Sequence, residues 1–410
     1  MSSFYSPEGI QVEAPVFNTL PRLPTPLGSF LYTSSYFRAW LQKHDKAGNW
    51  SLALGSRFLM NLKNDEETYA SYDAMSAREL FRKAGVSAKL YREFLQPIVL
   101  VTLFAPGEQL SGEDFVDCPC GSSWSVVLLR SVAEVIFKPW LELINSQGCR
   151  VLGNNRVVDV IHDDESNKIT GIVAMDGSGE RTVYDADVVV FAVGVQAMQR
   201  IVASSPALAG RPEFATISNL GTVDVLATRL WLDRRVPLKN PSNVLAGFEP
   251  TTGATVFDLN ALQNEFADEP GSVFEVDFYH ANQLLPLTDD AVIKKVIDSS
   301  VLRFKGAVTL FGPGSHQHMP STTTSFWNVF MSGDWLQQGP GAHGARGLSQ
   351  EKASVTGLLA ANAAASSLGL KSQVEVLPVE EDEAHIAARK SAAQTLRQAA
   401  RAFGLRSPFL

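Results

Sequence analysis

One stretch constrains this chain more than any other. From Ser325 to Asn362 it reads SFWNVFMSGDWLQQGPGAHGARGLSQEKASVTGLLAAN. An apolar run, Trp327 to Met331, predicts a strand that ends at Ser332-Gly333-Asp334. A glycine-dense loop follows, and a helix of small residues opens near Ser349. A helix N-terminus offers unpaired N–H groups and partial positive charge, so it attracts phosphate. Glycines let the backbone come close to a ligand. A carboxylate repels phosphate, so Asp334 is suited to the hydroxyls of a sugar-like chain. The combination is built to hold a phosphate-bearing cofactor.

Within it, Gly339-Pro340-Gly341-Ala342-His343-Gly344 satisfies G-x-G-x-x-G. A dinucleotide fingerprint also needs a second strand carrying an acid about 20 residues on. Here the helix runs into AANAAASSLGL, and beyond Glu351 the next acid is Glu375. The match therefore reads as coincidence, and a Gly/Pro loop without a ligand is the other alternative.

The whole segment resembles the C-terminal flavin motif of the FAD-dependent amine oxidase and phytoene (carotenoid) desaturase superfamily. GLSQEKASVTGLLAAN looks most like the desaturase-like branch of cyanobacteria, algae and plants. The resemblance implies FAD as cofactor. It implies that the Gly333-Asp334-Trp335 strand end lies beside the ribityl chain, with Asp334 in the ribityl role. It also implies that Ser349 to Lys352 sit near the isoalloxazine, with Gly347, Ser349 and Gln350 among the cofactor-binding residues. As plain sequence, Glu351 and Lys352 read as solvated helix-surface charges, with tuning of the ring as the alternative. A second segment resembles the same family. RVVDVI is similar to the strand that reads adenine through its backbone, which implicates Val157. ADVVVFAVG is similar to the strand returning to the FAD domain, which puts Gly194 near the cofactor. Any β-meander would give a similar pattern, so these two assignments lean on the family.

Composition narrows the function class. Lys plus Arg is 35 against 43 Asp plus Glu, a net charge of −8, where a nucleic-acid role wants a basic face. No apolar run reaches the ~18 residues of a spanning helix. Pro97 to Phe104 and Val188 to Val195 fit buried strands or helix segments instead. Three cysteines, Cys118, Cys120 and Cys149, make no disulfide framework and fit a reducing compartment. Cys118-Pro119-Cys120 lacks a second ligand pair, and His316 and His318 would point opposite ways on a strand, so no metal site is expected.

The order of elements predicts an α/β fold with an α+β insertion: an FAD/NAD(P)-binding-type domain lacking its first strands, plus a substrate domain of antiparallel sheet and helices. Residues 1–35, rich in proline, read as an extended lead-in. Residues 36–140 read as the helical part of the substrate domain. Ser76 and Glu79 form a capping box there, Pro97 limits one helix, and Pro139 falls near the end of another. Residues 141–210 read as the meander and returning strand, with short β runs at Arg150 to Leu152, Arg156 to Ile161 and Ile169 to Met175. A buried strand spans Asp187 to Val193. In residues 211–317, the antiparallel substrate domain, Glu275, Asp277 and Tyr279 share one strand face and Phe274, Val276 and Phe278 the other. Residues 318–370 hold the C-terminal flavin motif. Residues 371–410 read as an amphipathic helical tail that packs on the domain, with a membrane-surface contact as the alternative.

The superfamily opens with a strand, a glycine fingerprint and a helix that this chain does not show before Tyr36. The resemblance covers roughly Glu8 to Asn362, and Asp114 to Val126 and Lys295 to Val301 look altered against it. An N-terminally incomplete or alternatively spliced form, binding FAD weakly or not at all, is the expectation. The family chemistry implied is hydride transfer from a carbon of a large apolar, carotenoid-like substrate to flavin N5. Amine oxidation on the same scaffold is the alternative. Ser349 disfavours it, standing where the amine oxidases carry an aromatic side chain. Isomerisation without net redox and a truncated non-catalytic protein are the remaining readings. A plastid location follows from the resemblance alone.

Overall fold

The computed structural model describes residues 2–6, 9–14, 66–83, 86–88, 91–112, 130–245, 251–289, 291–292, 299–338 and 349–377, with scattered positions from 388 to 404. The strands in chain order are β1 Ser2–Ser6, β2 Gly9–Ala14, β3 Arg156–Asp163, β4 Lys168–Met175, β5 Arg181–Asp185, β6 Val189–Phe191 and β7 Gly221–Trp231. They continue with β8 Ser242–Leu245, β9 Gly253–Asp258, β10 Val273–Tyr279, β11 Ser299–Leu310 and β12 Val329–Met331. The helices that position the site are α1 Ala77–Lys83, α2 Gln96–Leu103, α3 Lys138–Ser146, α4 Val195–Ser204 and α5 Gln350–Ser367.

Three sheets organise these elements. A seven-stranded sheet runs β11-β7-β10-β9-β8-β1-β2. Its centre is antiparallel, with Glu275 opposite Arg229 and Asp277 opposite Thr255. Alternation along β10 gives two faces as the sequence predicts. Phe274 and Val276 enter a core with Leu230 and Ala254, while Glu275, Asp277 and Tyr279 face the other way. On that second face α2 lies close to β9. A Cβ at Gly253 would sit 2.7 Å from Leu100 Cβ, so glycine is what lets helix and strand touch. Ser2–Ser6 and Gly9–Ala14, which sequence gives only as a lead-in, pair antiparallel and extend this sheet, β1 running parallel to β8. Alternating Ile10 and Val12 supply a strand pattern that the nearby prolines obscure.

The meander β3-β4-β5 is antiparallel, as expected. Its Asp176 turn is fixed by the carboxylate accepting from the Ser178 and Glu180 amides, 2.8 and 3.0 Å. β6 and β12 form a separate parallel pair, Val189 opposite Val329 and Phe191 opposite Met331. One large core joins the two layers. It contains Ile169, Phe191, Met198, Phe326, Met331 and Trp335.

Several local expectations change. The strand is Val189–Phe191, shorter than Asp187 to Val193 and matched to a three-residue partner, β12; it is not buried throughout, for Val190 between buried Val189 and Phe191 is exposed. Residues 150–152 carry no strand; Val151 and Leu152 are exposed, with no ladder beside them. Pro97 does not end the helical run: a π-helical turn, Tyr91–Leu95, precedes it and α2 carries on through it, with the proline in the first turn of α2. Pro139 likewise opens α3 rather than closing it. His316 and His318 lie on a 3₁₀ turn, not a strand. Half of the capping box holds, the Ser76 hydroxyl accepting from the Glu79 amide at 3.1 Å, while the Glu79 carboxylate pairs with Lys83 at 3.0 Å. Residues 371–377 are extended, the described positions from 388 to 402 are helical, and Phe403 is exposed. Cys118-Pro119-Cys120, the 339–344 glycine match and residues 380–383 lie outside the described residues. Among the described residues no helix is long and apolar enough to cross a membrane.

Candidate functional site

The parallel pair sets the site. In a parallel sheet the strand carboxyl ends all face one way, and ligands bind beyond them. β6 ends at Phe191 and reaches Gly194, which caps α4. β12 ends at Met331 and reaches Gly333-Asp334. Both turns therefore lie at the same end of the pair. The Ser332 amide donates to the Phe191 carbonyl at 2.9 Å and prolongs the ladder by one residue. Beyond it, Trp335 Nε1 donates to the Val193 carbonyl at 2.9 Å and ties one turn to the other.

Trp335 is fully buried, and burying such a ring contributes on the order of 2–3 kcal/mol. Its indole lies against Gly333: a Cβ there would meet Nε1 at 2.5 Å and Cδ1 at 2.7 Å. Glycine at 333 is thus a packing requirement. At Gly194 the opposite holds, for a Cβ would meet nothing within 4 Å. The α4 N-terminus opens there without a side-chain cap. Along its length Val195, Met198, Ile201 and Val202 bury one stripe in the core.

α5 docks on the second turn. The Thr356 hydroxyl accepts from the Gly333 amide at 3.0 Å and lies 3.1 Å from the Gly333 carbonyl. One helical turn earlier on the same face is Lys352, which is 1% exposed. The reading of Lys352 as a solvated surface charge does not hold; Glu351 is the exposed one. Lys352 Nζ lies over the Phe311 ring, 5.4 Å from its centroid. Asp334 sits close by, with Thr309 Oγ1 at 3.5 Å from Oδ1. Burial pushes the Asp334 carboxyl above the ordinary carboxylate range, and the Lys352 ammonium and Thr309 hydroxyl pull it back. Asp334 is therefore recessed beside a counter-charge and does not point into bulk solvent.

The remaining sequence candidates divide. Ser349 caps α5, its hydroxyl accepting from the Lys352 amide at 3.3 Å. Gln350 is exposed in the first turn. Val157 lies on β3, half-buried against the large core and opposite Ala174. Gly347 lies outside the described residues. Sequence reasoning left Lys352 between a surface charge and a ring-tuning role, and it missed Asn328, which is fully buried and whose amide Nδ2 donates to the Ile169 and Asp187 carbonyls at 2.7 and 2.8 Å. Its Oδ1 accepts from the Ile169 amide at 3.2 Å. The side chain stitches the meander to the entry of both parallel strands. Its place immediately before an apolar strand was the available signal.

Comparison with known proteins follows this geometry. Residues 9–342 match the family model described as flavin containing amine oxidoreductase. The 15-cis-phytoene desaturase of Synechococcus elongatus is 24% identical over 226 residues, covering 50% of this chain and 46% of that protein. An oxidoreductase from Methanosarcina mazei shares the fold at a TM-score of 0.53 and 14% identity, over 78% of this chain and 73% of that one. Reduced UDP-galactopyranose mutase does so at 0.51 and 10% identity, over 72% and 67%.

Proposed function

The chain belongs to the flavin-containing amine oxidoreductase family, and on that premise we propose that it is an FAD-dependent oxidoreductase of desaturase type. Its proposed substrate is a large apolar, polyene-like molecule oxidised at carbon. One observation carries the reading: Asp334, the Gly194 turn and the first turn of α5 converge at the carboxyl end of the β6–β12 pair. The likeness to a phytoene desaturase supports the choice of substrate class over amines.

The residues fit a flavin dinucleotide on three counts. The Gly194 turn is open, a Cβ there meeting nothing within 4 Å among the described residues. Asp334 offers a recessed acceptor beyond a parallel strand. Gln338, four residues on, buries both side-chain polar atoms without a partner among the described residues, an arrangement suited to a ligand that both donates and accepts. In this proposal Asp334 accepts hydrogen bonds from ribityl hydroxyls. The free amides of the first turn of α4 face phosphate, and the α5 N-terminus favours negative charge on the ring. Bound there, FAD supplies the acceptor for a hydride. The protein's part is to bind, orient and exclude water.

The test is optical. The purified chain is examined for the yellow two-band absorption of flavin, before and after FAD is added. With flavin bound, anaerobic bleaching by polyene precursors and not by amines is expected. Absence of colour after reconstitution defeats the FAD assignment, and bleaching by amines alone defeats the substrate class.

A further inference from the structure

A fully buried lysine is costly unless something compensates its charge. Lys352 is 1% exposed, in the first turn of α5. Three observations fix what lies against it. The Phe311 ring is beneath its ammonium at 5.4 Å. Thr309, two residues earlier and near the end of β11, reaches Asp334 at 3.5 Å. Thr356, one turn along the same helix face, is hydrogen-bonded to Gly333 on both of that residue's backbone polar groups. Helix and strand end thus hold Lys352 and Asp334 against neighbouring residues where β11 ends, Phe311 and Thr309. A hydroxyl donates to a carboxylate far better than to a protonated acid, which must use its own proton as donor.

Resting on the FAD reading, we propose that Lys352 is the positioning counter-charge that keeps Asp334 ionised, so that a carboxylate meets the ligand's hydroxyls. The groups acting on Asp334 are consistent with this. Burial drives it toward the neutral form, Lys352 opposes that most strongly, and its own backbone amide and the Thr309 hydroxyl add less. Lys352 does not touch the reacting atoms in this account. It acts through Asp334.

Loss of the charge has a signature that loss of packing lacks. In Lys352→Met the Asp334 carboxyl takes up a proton at higher pH. FAD affinity should then fall and become pH-dependent, approaching a tenfold loss per pH unit on the acid side of the new midpoint. Wild type should vary less than about threefold between about pH 6 and 8. Lys352→Arg should restore the flat profile, because it keeps the charge. In an Asp334→Asn background, Lys352→Met should add little, since the pair is already broken. Lys352→Gln replaces the Met variant if that one does not fold, with folding judged by circular dichroism.

Two readouts separate this proposal from the one beneath it. The first is FAD affinity across pH, followed by flavin fluorescence. The second is the titration of the Asp334 carboxyl carbon by NMR in the cofactor-free chain. A midpoint that rises in Lys352→Met supports the pair even if no variant binds FAD, in which case the FAD reading alone fails. A midpoint unmoved by Lys352→Met overturns the pair. So does a uniform, pH-independent loss of FAD affinity that persists in the Asp334→Asn background.

Discussion

Replacing Asn328 with alanine should damage the scaffold more than any comparable surface change. The side chain is fully buried and makes three hydrogen bonds, at 2.7, 2.8 and 3.2 Å, to Ile169 and Asp187. Each contributes about 1 kcal/mol net, and leaving a buried partner unsatisfied costs roughly 1–3 kcal/mol more. Partial relaxation offsets some of that, so a loss of about 3–4 kcal/mol is expected. At about 2–4 °C per kcal/mol the thermal midpoint should fall by roughly 6–16 °C. Asn328→Asp preserves the size but replaces the donating amide with a carboxylate facing two carbonyls, so it should be worse at neutral pH and recover on acidification. The control is Asn155→Ala. That amide is exposed with one bond, 2.8 Å to the Gly153 carbonyl, and its loss should stay within about 0.5 kcal/mol. Thermal denaturation followed by circular dichroism measures all three. A midpoint for Asn328→Ala indistinguishable from Asn155→Ala refutes the reasoning.

Two further changes probe the site and the sheet. Gly333→Ala places a methyl 2.5 Å from Trp335 Nε1, so the indole must move and its bond to Val193 break. A cost of about 1–3 kcal/mol and a red-shifted tryptophan emission are expected, and an unchanged emission counts against the packing argument. Burial first, then the neighbouring Glu275, raise Asp277 to about 6, with Arg229 opposing. Its folded form therefore binds more protons than the unfolded chain between the ordinary carboxylate value and about 6, and stability falls as pH rises through that window. Asp277→Asn should be the more stable protein in urea at about pH 8, with the advantage fading toward about pH 4. An advantage that grows on acidification would reverse the sign and sink the account.

Much of the frame was written in local patterns. Alternation along Val273 to Tyr279 specifies two faces because strand side chains have a period of two. Ser76 and Asp334 declare a helix start and a strand end through chemistry confined to a few residues. What sequence concealed depends on distant partners. Asn328 is one polar letter among apolar neighbours, and its role appears only when Ile169 and Asp187 close around it. Lys352 reads as a surface charge because Asp334 and Phe311 lie far away along the chain. The β1–β2 pair was hidden because its pairing partner is Ser242–Leu245.

The indole bridge between Trp335 and Val193 has a dynamic consequence. Segments 142 positions apart in the chain are latched by one bond across the mouth of the parallel pair. Local opening of either turn must release the other, so their backbone amides should exchange with solvent deuterium at a shared rate, as a single cooperative unit. A ligand that bridges the two turns would slow both together, and cutting the latch with Trp335→Phe would let each breathe on its own clock.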